Sequence, residues 1–133
     1  MNIDGASRGN PGPASYGVVV RNGQGERLAG LSGRLGRTTN NFAEYQALIA
    51  ALEYALKNGH GRVEIRSDSE LLVNQMAGSY KVKSSALRPL HDRARQLARQ
   101  LERFHIRHVP REENRDADRL ANQALDAAPP APG

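Results

Sequence analysis

Four carboxylates stand where side chains could do chemistry together. Asp4 follows only Met1, Asn2 and Ile3, and opens the stretch Asp4-Gly5-Ala6-Ser7-Arg8-Gly9-Asn10-Pro11-Gly12. Its Gly, Asn and Pro make a loop with little side chain to hold a partner's backbone away. An Asp-Gly pair alone reads as a turn. Glu44, Asp68 and Asp118 change that reading, because each falls at the edge of an expected secondary element. Four carboxylates converging in a partly buried cleft repel one another and raise their pKa values unless something cationic sits among them. The chain has no Cys and no His pair at ligand spacing. The fitting ions are therefore hard divalent cations, Mg²⁺ or Mn²⁺. Two such ions about 4 Å apart suit phosphodiester hydrolysis, because they clamp the attacking and leaving oxygens.

The elements that must position these acids can be read in chain order. If Asp4 ends a central strand, that strand is short. Ala14 to Arg21, with the apolar run Val18-Val19-Val20, reads as a strand. Asn22-Gly23-Gln24-Gly25 is a turn, and Arg27 to Leu35 reads as the returning strand with Leu31, Gly33 and Leu35 on one face. Thr38-Thr39-Asn40-Asn41 is a cluster of capping residues, so a helix is expected from about Phe42 to Asn58, stopped at Gly59. Glu44 then lies in the first turn and shares the apolar face of Ala47, Leu48, Ala51 and Leu52. Complementing the helix dipole explains its place along the helix but not its face. Arg62 to Ser67 reads as a strand running into Asp68. Ser67 and Glu70 have capping-box spacing ahead of a short helix, about Ser69 to Met76. Asp68 taken alone reads as a simple cap. A second long helix is expected from about Leu87 to Glu102, with Pro89 in its first turn, then a strand from Phe104 to Val109. A last helix runs from Arg115 to Leu125 with Asp118 in its first turn. One α/β domain, residues 1–126, accounts for every element as a mixed sheet with helices packed on it. Asp4 and Asp68 would end neighbouring strands, and Glu44 and Asp118 would lean in from helix N-terminal turns. Residues 127–133, with three Pro, read as a loose tail.

Composition bounds the partners. Hydrophobic residues make up 38% and no apolar run approaches a membrane span, so a soluble protein without a membrane partner is expected. No targeting signal is visible and Cys is absent, which fits the cytoplasm. Nineteen Lys and Arg against 14 Asp and Glu leave a formal charge of +5. An acidic metal site inside a basic protein makes sense if Lys and Arg hold a polyanion such as nucleic acid while metals neutralise one phosphate. Ordinary solubility charge is the alternative, and the same holds for the arginines of the second long helix.

These motifs, in this order, resemble type 1 ribonuclease H from Asp4 to about Leu125. They are the Asp4 to Gly12 stretch, Thr38-Thr39-Asn40-Asn41-Phe42-Ala43-Glu44, Ser67-Asp68-Ser69, and Asn114 with Ala117-Asp118. The resemblance implies the ribonuclease H-like fold, a five-stranded mixed sheet flanked by helices. It implies endonucleolytic cleavage of the RNA strand of an RNA/DNA hybrid, leaving 5′-phosphate and 3′-hydroxyl ends. It also implies two Mg²⁺ ions per site with substrate, Mn²⁺ being a possible substitute. Asp4 would bridge both ions. Asp118 would complete the site of the ion that activates water. Glu44 and Asp68 would bind the second ion, and Glu44 would also sense a 2′-hydroxyl. Asn10, Asn40 and Asn41 would line the minor groove, Arg37 and Thr39 would hold a DNA-strand phosphate, and Ser69 would touch the RNA strand. A monomer without an obligate protein partner is expected.

Two departures from the family's pattern matter. The loop Val109-Pro110-Arg111-Glu112-Glu113-Asn114 is short and lacks the His that many members carry there. His108 reads as a strand residue. Arg111 is a substitute electropositive group but no base, because guanidinium stays protonated. Slower turnover is expected. The basic, Trp-rich protrusion of many bacterial members is also missing. Only Lys81 and Lys83 stand in its place, so weaker and strongly salt-dependent hybrid binding is expected. Three other functions remain open on sequence alone: a non-catalytic hybrid-binding module, a DNA-directed nuclease or strand-transfer enzyme on the same fold, and a structural domain with four unrelated caps.

Overall fold

The computed structural model describes residues 1–127. Its elements are β1 (Asn2–Ser7), β2 (Gly12–Arg21), β3 (Arg27–Thr38), α1 (Asn40–Lys57), β4 (Arg62–Ser67), α2 (Glu70–Met76), α3 (Arg88–Arg99), β5 (Arg103–His108) and α4 (Arg115–Asp126). A single 3₁₀ turn at Arg111–Glu113 precedes α4. The five strands form one mixed sheet in the order β3-β2-β1-β4-β5. β1 runs antiparallel to β2 and parallel to β4, and β4 is parallel to β5. The expected five-stranded mixed sheet with flanking helices is therefore present.

The sheet has two unlike faces. On one, Ile3, Val18, Val20 and Ile65 pack against α1 through Leu48 and Leu52, with α3 adding Ala94 and Leu97. On the other, α4 lies across β2, β1 and β3 and buries Ala117, Ala121 and Leu125. Small residues let this helix come close: a Cβ on Gly17 would stand 2.3 Å from the Ala117 carbonyl oxygen. Within the larger core the Tyr45 hydroxyl donates to Gln75 Oε1 at 2.6 Å and lies 3.3 Å from His91 Nδ1. That buried polar contact joins α1, α2 and α3 one residue from Glu44. No helix among the described residues is long and apolar enough to cross a membrane.

Several boundaries differ from those expected of the sequence. β1 is not stunted, and Asp4 does not end it. Pairing with β4 stops at Ile3 opposite Ser67, but pairing with β2 continues from Asp4 opposite Gly17 to Ser7 opposite Ala14. β3 runs on past Leu35 to Thr38, through a register shift opposite Ala14 and Ser15 where Gly36 takes φ +71°. α1 starts two residues earlier than expected, because Thr39 is its N-cap and accepts from the Phe42 N–H at 3.2 Å. Glu44 consequently sits in the second turn. The cap of α2 is Ser69, which accepts from the Leu72 N–H. Ser67 instead accepts from the Ser69 N–H at 3.0 Å, so there is no Ser67–Glu70 capping box. α3 ends at Arg99, three residues short of expectation, and β5 starts and stops one residue early. From residue 128 onward the expected tail lies outside the described residues.

Candidate active site

The acids converge where β1 and β4 stop pairing. Since β4 ends at Ser67, Asp68 is carried level with Asp4, and Ser69 then turns the chain into α2. Glu44 arrives from the helix above. Its approach depends on Gly5, where a Cβ would stand 2.4 Å from the Glu44 backbone nitrogen. Any larger residue at this position would push α1 off the sheet. One carboxylate oxygen from each of Asp4, Glu44 and Asp68 lies within 4.8 Å of the others. Asp118, in the first turn of α4, lines the same cleft of about 430 Å³ from its open side.

Asn114 sets that fourth acid. Its side chain is 1% exposed, donates to the Ile3 carbonyl at 2.8 Å and accepts from Asn2 Nδ2 at 3.1 Å. The Asp118 N–H bonds back to the Asn114 carbonyl at 3.1 Å. Thus α4 is pinned to β1 one residue before Asp4. In the sequence Asn114 belongs to a motif, but nothing there gives it a task. Its one signal is a polar residue directly before an amphipathic helix, which also describes any cap.

Electrostatics mark the cluster as incomplete by itself. Asp4 is 5% exposed and Glu44 3% exposed. Burial, and then the neighbouring Glu44, Asp68 and Asp118 charges, hold the Asp4 carboxyl far above the usual range. Burial and the Asp68 charge likewise push Glu44 up, only partly opposed by the Gly5 backbone N–H. Glu44 Oε2 is buried and has no hydrogen-bond partner among the described residues. A buried carboxylate oxygen without a donor costs free energy, and a cation held among Asp4, Glu44 and Asp68 would remove that cost. The all-carboxylate donor set suits hard divalent cations such as Mg²⁺ or Mn²⁺.

The other expected site residues divide into two groups. Asn40, Ser69 and Arg111 line the cleft with the acids. Asn10 stands next to them: its Oδ1 accepts from the Asn40 N–H at 3.1 Å, which ties the Gly-rich loop to the start of α1. Arg37, Thr39 and Asn41 are exposed around the same helix start, although the Thr39 hydroxyl is engaged as the cap. Lys81 and Lys83 are exposed in the connector between α2 and α3 and do not line the cleft. His108 is the last residue of β5, a strand residue as expected, and it also lines the cleft beside Arg111. The sequence does not reveal this second property, because a strand's final side chain can face either way.

Comparison with known proteins agrees with this architecture. A family model described as reverse transcriptase-like matches residues 2–124. The chain is 49% identical over 126 residues to ribonuclease HI of Halobacterium salinarum, covering 95% of this chain and 63% of that protein. It is also 49% identical over 129 residues to a bifunctional protein of Mycobacterium tuberculosis, of which it spans 35%. The crystal structure of the Halobacterium ribonuclease H1 superposes with a TM-score of 0.93 at 48% identity, covering 96% of both chains. LC11 ribonuclease H1, solved in complex with an RNA/DNA hybrid, superposes at 0.89 with 43% identity over 94% of both chains. On its matched span, its sheet order and its relatives, the chain belongs to the reverse transcriptase-like family as a type 1 ribonuclease H domain.

Proposed function

We propose that this chain is a divalent-metal-dependent endoribonuclease that hydrolyses the RNA strand of RNA/DNA hybrids. The observation that carries the reading is the group Asp4, Glu44 and Asp68, with ligand atoms within 4.8 Å and a buried Glu44 oxygen that no described residue satisfies. A structural domain with four caps gives no reason to bury two acids against each other. The relative solved with a hybrid supports the choice of substrate.

Asp4, Glu44 and Asp68 would hold the cations, with Asp118 completing the site from the solvent side. Two Mg²⁺ ions, with Mn²⁺ as substitute, would supply Lewis acidity at the scissile phosphate and a nucleophilic water, giving 5′-phosphate and 3′-hydroxyl ends. The chain's own residues do the rest. The Asn10–Asn40 contact holds the Gly-rich loop at the cleft mouth, where both amide groups and Asn41 present donors to a minor groove. Arg37 and Thr39 flank the start of α1, a place suited to a backbone phosphate. Ser69, beside Asp68, meets the RNA strand, and Glu44 is placed to accept from a 2′-hydroxyl. Arg111 brings fixed positive charge to the cleft and cannot act as a base. Lys81 and Lys83 add only peripheral phosphate contacts.

The test is a strand-labelled RNA/DNA hybrid incubated with Mg²⁺, Mn²⁺ or EDTA. RNA-strand cleavage that is lost in EDTA and in Asp4→Asn is the expected result. Tight hybrid binding with no cleavage under either metal would make the chain a binding module. Cleavage of both strands of duplex DNA would make it a DNA-directed nuclease.

A further inference from the structure

Outside the cleft, a dense array of charge lies on the part of the sheet that, among the described residues, α4 does not cover. α4 packs on β2, β1 and β3. On that same face β4 presents Arg62, Glu64 and Arg66, and β5 presents Arg103, His105 and Arg107, all exposed. The register sets Arg62 directly opposite Arg103 and Arg66 directly opposite Arg107. Like charges directly opposite one another destabilise a sheet. Glu64 bridges one row, at 2.7 Å from Arg66 and 3.2 Å from Arg107, and Glu102 holds Arg62 at 3.0 Å. Three of the four guanidinium groups thus share two carboxylates, so positive charge is in excess on this face. Protecting an edge against aggregation explains charge on β5, the outermost strand. It does not explain Arg66 on β4, which is paired on both sides, with Asn2 of β1 and with Arg107 of β5.

The dimensions fit a polyphosphate backbone. The two arginine rows are four residues apart, or roughly 13 Å at the rise of a strand. A duplex carries about four phosphates per strand over that length. Guanidinium groups are suited to bidentate phosphate recognition. The inner row, Arg66 and Arg107, adjoins Ser67 and His108, next to the cleft, and the outer row leads away from it. We propose that the bare β4–β5 face is a second, metal-independent binding surface, which takes the sugar-phosphate backbone of nucleic acid beyond the segment held at the cleft. The choice of nucleic acid over other polyanions rests on the functional reading above.

Binding is measured in EDTA by fluorescence anisotropy of a labelled DNA duplex across a salt series, so the result does not depend on cleavage. The full chain is compared with the variant carrying Arg62→Gln, Arg66→Gln, Arg103→Gln and Arg107→Gln, and with the milder pair Arg103→Gln and Arg107→Gln. The fourfold variant is expected to bind about tenfold more weakly, and its slope of log affinity against log salt to flatten by about 0.9 for each phosphate it no longer neutralises. The pair is expected to show about half of that effect, and it decides the question alone if the fourfold variant does not fold. Unchanged affinity and slope overturn the proposal. Polyglutamate bound as tightly as the duplex, and released by the same substitutions, overturns it in favour of an acidic protein partner. Failure of the functional reading would show separately, as no RNA cleavage in Mg²⁺ while duplex binding in EDTA persists.

Discussion

The cleft's four acids form two unlike pairs. Asp4 and Glu44 are buried, one in the middle of a strand and the other in the second turn of a helix pressed against that strand. Asp68 and Asp118 stand further out, each just after an element has ended or begun. The inner pair carries the cost of desolvation, and both of its members are held above their usual protonation range. The outer pair can exchange partners with water. The difference teaches that a site of this kind is assembled around a core of stored repulsion, with the outer acids closing it.

The strongest way to break that comparison is to neutralise one acid of each pair. Asp4→Asn is expected to lower RNA-strand cleavage by on the order of 10³-fold, and Asp118→Asn by about tenfold less, measured as initial rates on the labelled hybrid. Equal losses would show that depth does not divide the acids. Gly5→Ala comes next. Its Cβ must displace α1 at the Glu44 nitrogen, so we expect a stability decrease of about 2 kcal/mol, with a fall in activity disproportionate to that decrease because Glu44 moves. Chemical denaturation and rate measurement on the same preparation separate the two effects.

Metal and pH sharpen the comparison with smaller effects. Saturating Mg²⁺ at 100-fold above its Kd is expected to stabilise the chain by about 2.7 kcal/mol, read as a rise in melting temperature. Glu44→Gln should abolish most of that rise while raising metal-free stability by on the order of 1 kcal/mol. For pH the sign follows from the raised values. Folded Asp4 and Glu44 keep protons that the unfolded chain releases above their ordinary values of 3.8 and 4.5. The folded state therefore binds more protons, and metal-free stability falls as pH rises from about 4 through neutrality. Melting temperatures in EDTA at pH 5 and pH 8 test this. The expected order is higher at pH 5, and the slope should flatten in Glu44→Gln.

Much of this was legible in the sequence because the acids sit beside punctuation. Thr39 before a helical stripe, Ser67-Asp68-Ser69 after an alternating strand and Asn114 before the last helix all mark edges that local chemistry sets. Depth was not legible. Asp4 looks terminal when read along the chain, since Gly and Asn soon follow it. It is central because β2, which begins at Gly12, pairs with β1 through Ser7. The burial of His91 is hidden for a related reason. Its partners Tyr45 and Gln75 come from two other helices, and no spacing within α3 announces them. The basic β4–β5 face needed the register, since Arg62 and Arg103 become neighbours only once the two strands are aligned.

The tether made by Asn114 also bears on time. In a chain synthesised from its N-terminus, three of the acids exist once residue 68 has been added. The amide that docks α4 onto β1, and the acid that α4 carries, come some fifty residues later. Until then the growing polypeptide lacks the side of the cleft that Asp118 lines. A nascent chain on the ribosome, surrounded by RNA, thus carries three of the four acids of the proposed site, and the fourth arrives only with the last helix.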